Sequence, residues 1–522
     1  MLPARLARPL LTGLIVLTLI AVAWFRFGAK ALEPGRRPPD APLPNIVFVL
    51  VDALRADRLG VYGGVRQLTP AIDAFAAEGL LFEQVIAQAP WTQPSVASIF
   101  SAVYPGVHQV RDYQLAWDAT FTEAPSVAVF SERLTTLAEA LRQGGYQTAA
   151  FSANPFVAAD FGFGQGFDHF DSSFASFTKE STSGRTINEA VFRWLPRRDP
   201  ARPLFLYLHY MDVHGPYEGD RECLNRLLDE VERLPDKREL TPLEIARLDH
   251  LRRFPALADP ARHEPLFRYR EYWVARYEAG VRAADQHFEE LRRGLAERGL
   301  WANACVIFAS DHGEALCEHG FWDHGLSVHH NQLHVPLILR WPGVVEAGAR
   351  VPRIVELFNL MPTLLDQLRL PAVEGVQGVS MVPLLQGRPF ARRPDAFAEA
   401  VKFGTEQKAI YQDGYKLLYV ESDPPRASLY RVPGDPQEQR SFSQTAGGLL
   451  ARLIGDLQPI LARNRDLAAA LPRSRAPISE EQRRQLESLG YVGKPSTMAD
   501  HATSGPAGSP VAPTTGPFRS EP

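Results

Sequence analysis

Two acidic residues and a histidine each follow an apolar run with the length of a buried strand. Asp311 and His312 follow Cys305–Ala309, and Asp52 follows Ile46–Val51. Open α/β sheets hold their ligands just beyond the carboxyl ends of parallel strands, so the two acids would share one edge of the sheet if these strands lie close together. Because carboxylate oxygens and an imidazole nitrogen can surround a divalent cation, the pattern predicts a metal site.

A hydroxyl at position 92 is a second candidate for chemistry. The segment from Trp91 to Phe100 predicts a helix that begins near Thr92, with Pro94 in its first turn. A hydroxyl at a helix N-terminus faces free backbone N–H groups and the positive end of the helix dipole, where an anionic ester can dock. A plain helix cap would have the same pattern, so this segment alone leaves both interpretations open.

The elements that would position these side chains alternate between strand and helix, which predicts an α/β fold with a mostly parallel sheet covered by helices on both faces. The predicted strands are Ile46–Val51, Thr148–Ala153, Leu204–Tyr210, Cys305–Ala309 and Val335–Trp341, and the clearest helices are Leu134–Gln143 and Tyr269–Arg298.

Near Asp395 the pattern changes to that of a small antiparallel subdomain. A hairpin is predicted over Lys408–Val420 about the turn Asp413-Gly414, and a further strand over Ser428–Val432. The chain is thus divided into an N-terminal anchor and tether (1–43), a catalytic domain (44–394), the antiparallel subdomain (395–495) and a disordered tail (496–522).

Composition limits the classes of function. The chain has 522 residues with a net charge of −4, which is enough length for a large core and gives no indication of a nucleic-acid partner. Its three cysteines are too few for a disulfide framework.

The N-terminus carries an apolar run, Pro9 to Phe25, with arginines before it and basic residues after it. An uncleaved membrane anchor is favoured over a cleaved signal peptide, with the catalytic domain in the periplasm or otherwise outside the cytoplasm. The basic residues that follow the run outnumber those before it, so the charge rule alone does not set this orientation.

Ordered motifs from about residue 45 to residue 493 resemble those of the sulfatase family in the alkaline-phosphatase superfamily. They are Asn45–Gly63, Thr69–Asp73, Thr92–Ser95, Ser310–Glu314 with His319-Gly320, and Val335–Leu337. The resemblance implies an α/β/α sandwich, a divalent metal, and a nucleophile that attacks a sulfate, phosphate or phosphonate ester. It also implies that Asp52, Asp311 and His312 are metal ligands and that Thr92 occupies the position of the nucleophile.

Three positions depart from a true sulfatase. That group oxidises a cysteine or serine to formylglycine, whereas Thr92 could yield only a ketone, and Val96 replaces an arginine. Ala53 replaces a second acid, which favours manganese, zinc or magnesium over calcium. The site thus resembles the branch that uses threonine without formylglycine, including phosphoglycerol and phosphoethanolamine transferases and nucleotide pyrophosphatases, with Thr92 also a metal ligand.

The resemblance assigns further candidates. His214 would contact the ester, and His324 would lie beside the leaving group. Asn154 is a candidate because it follows the predicted strand Thr148–Ala153, where it would contact an ester oxygen. Arg55 would reach the substrate or form an ion pair.

A second metal held by Asp212 and His209 with His214 and His324 is an alternative. The group His329, His330 and His334 is interpreted as loop structure rather than a metal site, and Glu314 and Glu318 as residues that orient the neighbouring loops.

The function expected from these features is a membrane-anchored, metal-dependent hydrolase of a sulfuric or phosphoric ester on a small molecule, a glycan or a lipid. The alternatives are a phosphoglycerol- or phosphoethanolamine-type transferase, and a non-catalytic binding protein with the same fold.

Overall fold

A computed structural model describes residues 36–111, 113–114, 126–174, 183–217, 219–230, 270–390 and 394–488. The strands are β1 (Ile46–Val51), β2 (Leu80–Ile86), β3 (Tyr113–Gln114), β4 (Ser126–Ala128), β5 (Gln147–Ser152), β6 (His169–Asp171), β7 (Leu204–Tyr210), β8 (Cys305–Ala309), β9 (Ala315–Leu316), β10 (Trp322–Asp323), β11 (His334–Arg340), β12 (Arg350–Glu356), β13 (Ala396–Ala398), β14 (Gln407–Gln412), β15 (Tyr415–Val420), β16 (Arg426–Tyr430) and β17 (Arg475–Pro477).

The α-helices of the described residues cover the sheets or connect their strands. They are α1 (Pro70–Ala77), α2 (Thr92–Ser101), α3 (Pro105–His108), α4 (Leu137–Gln143), α5 (Gly184–Trp194), α6 (Arg221–Glu230), α7 (Arg270–Glu297), α8 (His330–Leu333), α9 (Leu360–Leu368), α10 (Val382–Leu385), α11 (Gly447–Ala469) and α12 (Glu480–Ser488).

The central sheet has eight strands in the order β12-β2-β11-β8-β1-β7-β5-β6. Its pairs are parallel except at β11, which runs antiparallel to both β2 and β8. Every residue of β1, β7 and β8 is buried, as expected for central strands of a sheet covered on both faces. The predicted α/β fold with a mostly parallel sheet is confirmed.

A separate antiparallel sheet of four strands, β13-β14-β15-β16, follows the central sheet. The predicted hairpin is present, with Lys408 opposite Tyr419 and Gln412 opposite Tyr415. Asp413 and Gly414 form its turn, and both have positive φ, at 53° and 80°. Asp and Gly tolerate this left-handed backbone better than most residues, which is why their pair predicts the turn.

The sequence predicted a membrane-anchored protein with its catalytic domain outside the cytoplasm, and this prediction is wrong. Among the described residues, no helix is both long enough and apolar enough to cross a bilayer. The run Pro9 to Phe25, on which that prediction rested, lies outside the described residues, and so does the tail 496–522.

Candidate active site

The site lies where β1, β7 and β8 end side by side. In the parallel register, Leu50 is opposite both Ala309 and His209, which brings the residues just beyond β1 and β8 to the same edge of the sheet. Asp52 and Asp311 therefore meet there, as the sequence predicted. Both side chains are fully buried.

Asp52, Asp311 and His312 form a group whose potential ligand atoms all lie within 4.8 Å of one another. Asp52 Oδ1 and Asp311 Oδ2 are buried and accept no hydrogen bond from the described part of the chain. The His312 Nδ1–H donates to the carbonyl of Gly313 at 2.8 Å, so the neutral form of the imidazole directs the lone pair of Nε2 toward the two acids. Two buried carboxylate oxygens without donors and one imidazole lone pair fit a divalent cation.

The second oxygen of each carboxylate is held by the protein. Asp311 Oδ1 accepts hydrogen bonds from the backbone N–H groups of Ala53 (3.3 Å) and His312 (3.0 Å). Asp52 Oδ2 accepts hydrogen bonds from Asn154 Nδ2 (2.7 Å) and His209 Nε2 (3.1 Å). Each acid is thus oriented by one oxygen and presents the other to the cation site.

The electrostatics of the two acids differ. Burial opposes ionisation of Asp52, but the neighbouring imidazoles of His209, His312 and His214 hold the pKa of Asp52 well below its ordinary value. Burial and repulsion from Asp52 raise the pKa of Asp311. A cation between them would remove this repulsion, which is a second reason why the group fits a metal.

Thr92 is the first residue of α2, and the N-cap position belongs to Trp91. Its hydroxyl lies 3.3 Å from Asp52 Oδ2 and 3.2 Å from His312 Nε2, and it accepts a hydrogen bond from Asn154 Nδ2 at 3.4 Å. The N-cap position of Trp91 and these contacts do not favour the alternative that Thr92 serves only as a helix cap. The hydroxyl instead faces the group of potential metal ligands at the positive end of α2.

Contacts along α2 fix the position of Thr92. Ser95 Oγ donates to the carbonyl of Asp311 at 2.6 Å, which ties the helix to the segment that carries two of the potential metal ligands. His108 Nδ1 accepts from the backbone N–H of Val110 at 3.0 Å, so its proton is on Nε2, which lies 3.2 Å from the carbonyl of Pro94. The neutral imidazole of His108 thus supports the first turn of α2.

We expect this imidazole to make stability depend on pH. Burial lowers the pKa of His108 to about 3, while an unfolded histidine titrates near 6.5. Because only the unfolded state gains this proton, the contribution of His108 is complete above about pH 6.5 and declines by up to about 1.4 kcal/mol per pH unit as the pH falls toward 3. Denaturant unfolding at pH 7, 6 and 5 should show a shallower loss of stability in His108→Gln than in the wild type. Equal slopes would contradict the assignment.

Asn154 follows β5 and contacts Asp52 and Thr92 through its amide nitrogen. Its orientation is fixed because Asn154 Oδ1 accepts from the backbone N–H of Phe156 at 2.8 Å. The sequence predicted Asn154 as a contact for an ester oxygen, and the structure places it within the site.

His214 and His324 lie together beside the potential metal ligands. Their ring centroids are 5.0 Å apart, and the rings of His324 and His312 are 4.5 Å apart. His324 Nδ1 lies 3.1 Å from Glu314 Oε2 and 2.9 Å from Asp323 Oδ1. Burial lowers the pKa of His324, but Asp323 and Glu314 outweigh burial and raise it to about 10. His324 is therefore a protonated side chain that can donate to an oxygen.

Arg55 follows the same strand as Asp52, but its guanidinium is engaged elsewhere. It binds Asp57 at 2.7 Å and Glu318 at 2.9 Å, and it donates to the carbonyl of Glu314 at 3.0 Å. These contacts favour the ion-pair alternative over a substrate contact. They also fix the loop that follows Asp311, in agreement with the orienting role predicted for Glu314 and Glu318.

The geometry does not favour a second metal at Asp212 and His209. Asp212 binds His287 Nδ1 at 2.8 Å and the backbone N–H of Gly184 at 2.9 Å. His209 donates to Asp52 and accepts from the hydroxyl of Tyr207, at 3.1 Å each. Both side chains are thus committed to other partners, and His209 serves as a support for Asp52, a role that sequence reasoning missed.

His329 and His330 form a separate group with Glu438. His329 Nδ1 lies 2.7 Å from Glu438 Oε2, and Lys416 Nζ lies 2.5 Å from Glu438 Oε1. The rings of His319 and His329 stack in parallel at 3.8 Å, so a cation could not lie in the planes of both imidazoles. Although His319, His329 and Glu438 lie close enough to hold an ion, this stacking and the buried lysine do not favour a metal there. The predicted loop role is wrong for His330 and His334, which begin α8 and β11.

The chain is similar in sequence to proteins described as sulfatases. Residues 44–370 match the family model described as Sulfatase, and residues 317–458 match that of the N-sulphoglucosamine sulphohydrolase C-terminal region. The chain is 23% identical over 478 residues to an N-acetylglucosamine-6-O-sulfatase of Bacteroides thetaiotaomicron, which covers 76% of this chain and 82% of that protein. It is 23% identical over 448 residues to a choline-sulfatase of Rhizobium meliloti, covering 78% and 83%.

Solved structures share the fold. A protein crystallised with its substrate D-glucosamine-2-N,6-O-disulfate superposes with a TM-score of 0.64 at 20% identity, over 82% of this chain and 98% of that one. A phosphonate monoester hydrolase of Agrobacterium radiobacter superposes with a TM-score of 0.60 at 20% identity, over 81% and 96%.

Proposed function

This chain belongs to the sulfatase family and is a hydrolase of sulfuric or phosphoric esters, and we propose that it uses Thr92 as an unmodified nucleophile. The observation that carries the proposal is the position of Thr92 Oγ1, which is fully buried and lies 3.2 Å from His312 Nε2 and 3.3 Å from Asp52 Oδ2. A threonine with only a structural role would not need this placement beside potential metal ligands.

The chemistry of threonine sets the kind of nucleophile. Formylglycine is an aldehyde that forms from cysteine or serine, whereas the extra methyl group of Thr92 would leave a ketone. Thr92 therefore acts as an alkoxide that forms a covalent ester with the transferred group. This favours a phosphorus centre over sulfur, in line with the resemblance to enzymes that use threonine.

Members of this family use a divalent metal ion, and Asp52, Asp311, His312 and Thr92 would hold it here. When bound, it would polarise the ester and lower the pKa of the Thr92 hydroxyl. Ala53 contributes only its backbone N–H, to Asp311, where the family has a second acid. With fewer oxygen ligands, the site suits manganese, zinc or magnesium better than calcium.

The remaining side chains have roles that follow from their positions. Thr92 Oγ1 loses its proton to solvent and forms a bond to phosphorus or sulfur while the bond to the leaving oxygen breaks. His324, protonated and held by Glu314 and Asp323, gives a proton to that oxygen. Asn154 donates to an oxygen of the transferred group. The Nδ1–H of His214 donates to the carbonyl of Gly215 at 2.6 Å, so His214 donates to a second oxygen from Nε2 in its protonated form. Water then attacks the same centre and releases Thr92 as its alcohol.

The names of the relatives indicate a general class of substrate. Those named above include a sulfatase of an N-acetylglucosamine 6-O-ester and a choline-sulfatase. We propose that the substrate of this chain is an ester of a small molecule or a glycan.

A panel of 4-nitrophenyl sulfate, 4-nitrophenyl phosphate, bis(4-nitrophenyl) phosphate and 4-nitrophenyl phenylphosphonate tests the proposal. The protein would be stripped of metal and reloaded with manganese, zinc, magnesium or calcium. We expect a phosphorus ester to be hydrolysed at least about tenfold faster than the sulfate, and calcium to restore the least activity. Fastest turnover of the sulfate ester with calcium would contradict both the preferred centre and the preferred metal.

A further inference from the structure

Lys402 is a basic residue that packs beside the candidate active site and belongs to the subdomain of the four-stranded sheet. It belongs to the loop between β13 and β14. Its ammonium group lies 5.5 Å from the ring centroids of Trp91 and Phe156 and 5.0 Å from that of Phe403. Such distances place a cation on aromatic faces, where it is attracted by their electron density.

Backbone contacts fix the loop that carries Lys402. Trp91 Nε1 donates to the carbonyl of Ala400 at 2.8 Å, and the backbone N–H of Lys402 donates to the carbonyl of Gly325 at 2.6 Å. A Cβ at Gly325 would lie 2.6 Å from Lys402 Cβ, and Gly325 has a φ of 78°. Only glycine fits there, which shows how closely the loop packs on the segment that follows His324.

Three of these neighbours lie within two residues of a residue of the proposed mechanism. Trp91 precedes Thr92, Phe156 accompanies Asn154, and Gly325 follows His324. Lys402 therefore lies where the segments that carry the nucleophile, the oxygen contact and the leaving-group histidine come together. It is half-buried, and Phe403 beside it is 38% exposed.

The charge of Lys402 is poorly hydrated in this position. Burial lowers the pKa of Lys402 to about 7, and the negative charges of Asp323 and Asp52 oppose this effect only in part. An anion that docks against the ammonium group would be favoured by the reduced access of water.

We propose that Lys402 and Phe403 bind the alcohol part of the substrate, and that Lys402 selects alcohols that bear a second negative charge, such as a carboxylate or a further sulfate or phosphate. The inference rests on the proposed function, which places the reacting ester at Thr92. The potential metal site, Asn154 and His324 already serve the charge of the reacting group, so we assign Lys402 to the group that leaves.

Binding of aryl sulfonates tests this without turnover, because their C–S bond is not hydrolysed. The probes are benzenesulfonate, with one negative charge, and 3- and 4-sulfobenzoate, with two. We expect the metal-loaded wild type to bind one of the sulfobenzoates about tenfold more tightly than benzenesulfonate, the gain expected of one charge-assisted contact. Lys402→Met should bring this ratio close to one and leave benzenesulfonate binding within about twofold.

Two further variants make the result specific. Lys402→Arg should keep most of the preference, and Arg426→Met, which removes an exposed cation from the same sheet, should keep all of it. An equal preference in Lys402→Met and the wild type, an equal loss for all the probes, or a wild type that does not distinguish them would each overturn the inference. Thr92→Ala separates it from the proposed function: the binding preference should remain in this variant whether or not turnover is lost.

Discussion

Replacement of Thr92 by alanine should lower kcat/KM by a factor on the order of 10⁴ or more for every ester that the wild type hydrolyses. The alanine lacks the oxygen that would form the covalent bond, and solvent water cannot occupy the same fixed position on α2. Thr92→Ser should retain a measurable part of the activity, since it keeps the hydroxyl and loses only a methyl group. Steady-state kinetics of the metal-loaded variants measure both effects.

Ser101→Ala is a matched control for this experiment. Ser101 is a buried hydroxyl residue of the same helix, but it donates to the carbonyl of Ala97 within α2 and not to the site. Its replacement should leave kcat/KM near that of the wild type. Intact mass of the wild type should show an unmodified Thr92, and rapid quench with a phosphorus ester should trap a phosphoryl group on it. Wild-type rates in Thr92→Ala would eliminate Thr92 as the nucleophile.

The parts of the fold that the sequence predicted are those with strong local patterns. β1, β7 and β8 were predicted with their observed ends, because their residues are buried on both faces and form continuous apolar runs. The antiparallel direction of β11 within the central sheet could not be predicted this way. Whether a strand runs parallel or antiparallel to its neighbours depends on the route of the connecting chain, and the residues of the strand itself do not indicate it.

The site was predicted to the extent that its residues lie directly after strands. Asp52, Asp311 and His312 do so, and the sheet register brings them together. Lys402 was missed because it belongs to a loop of the other sheet that has no recognisable pattern, and only the tertiary structure packs this loop on Trp91 and Gly325. Arg55 shows the opposite case: its neighbour Asp52 faces the site, yet its own guanidinium is held by Asp57 and Glu318, partners that only the tertiary structure reveals.

Asp311→Asn should abolish most metal binding and nearly all turnover without loss of the fold. The asparagine oxygen can still accept from the backbone N–H groups of Ala53 and His312, but the charge that faces Asp52 disappears. Because burial and repulsion from Asp52 raise the pKa of Asp311 when no cation is present, the metal-free variant should be at least as stable as the metal-free wild type.

Elemental analysis after dialysis should find less than about one tenth of the wild-type metal, since a neutral amide replaces a charged ligand. Asp171→Asn is the matched control, because Asp171 ends β6 at the outer edge of the same sheet and should change neither metal content nor turnover. Thermal unfolding with and without added metal completes the test: the cation should raise the Tm of the wild type and of Asp171→Asn, but not that of Asp311→Asn. Wild-type metal content and activity in Asp311→Asn would rule out the proposed site, because no other described carboxylate pairs with Asp52 and His312 in that group.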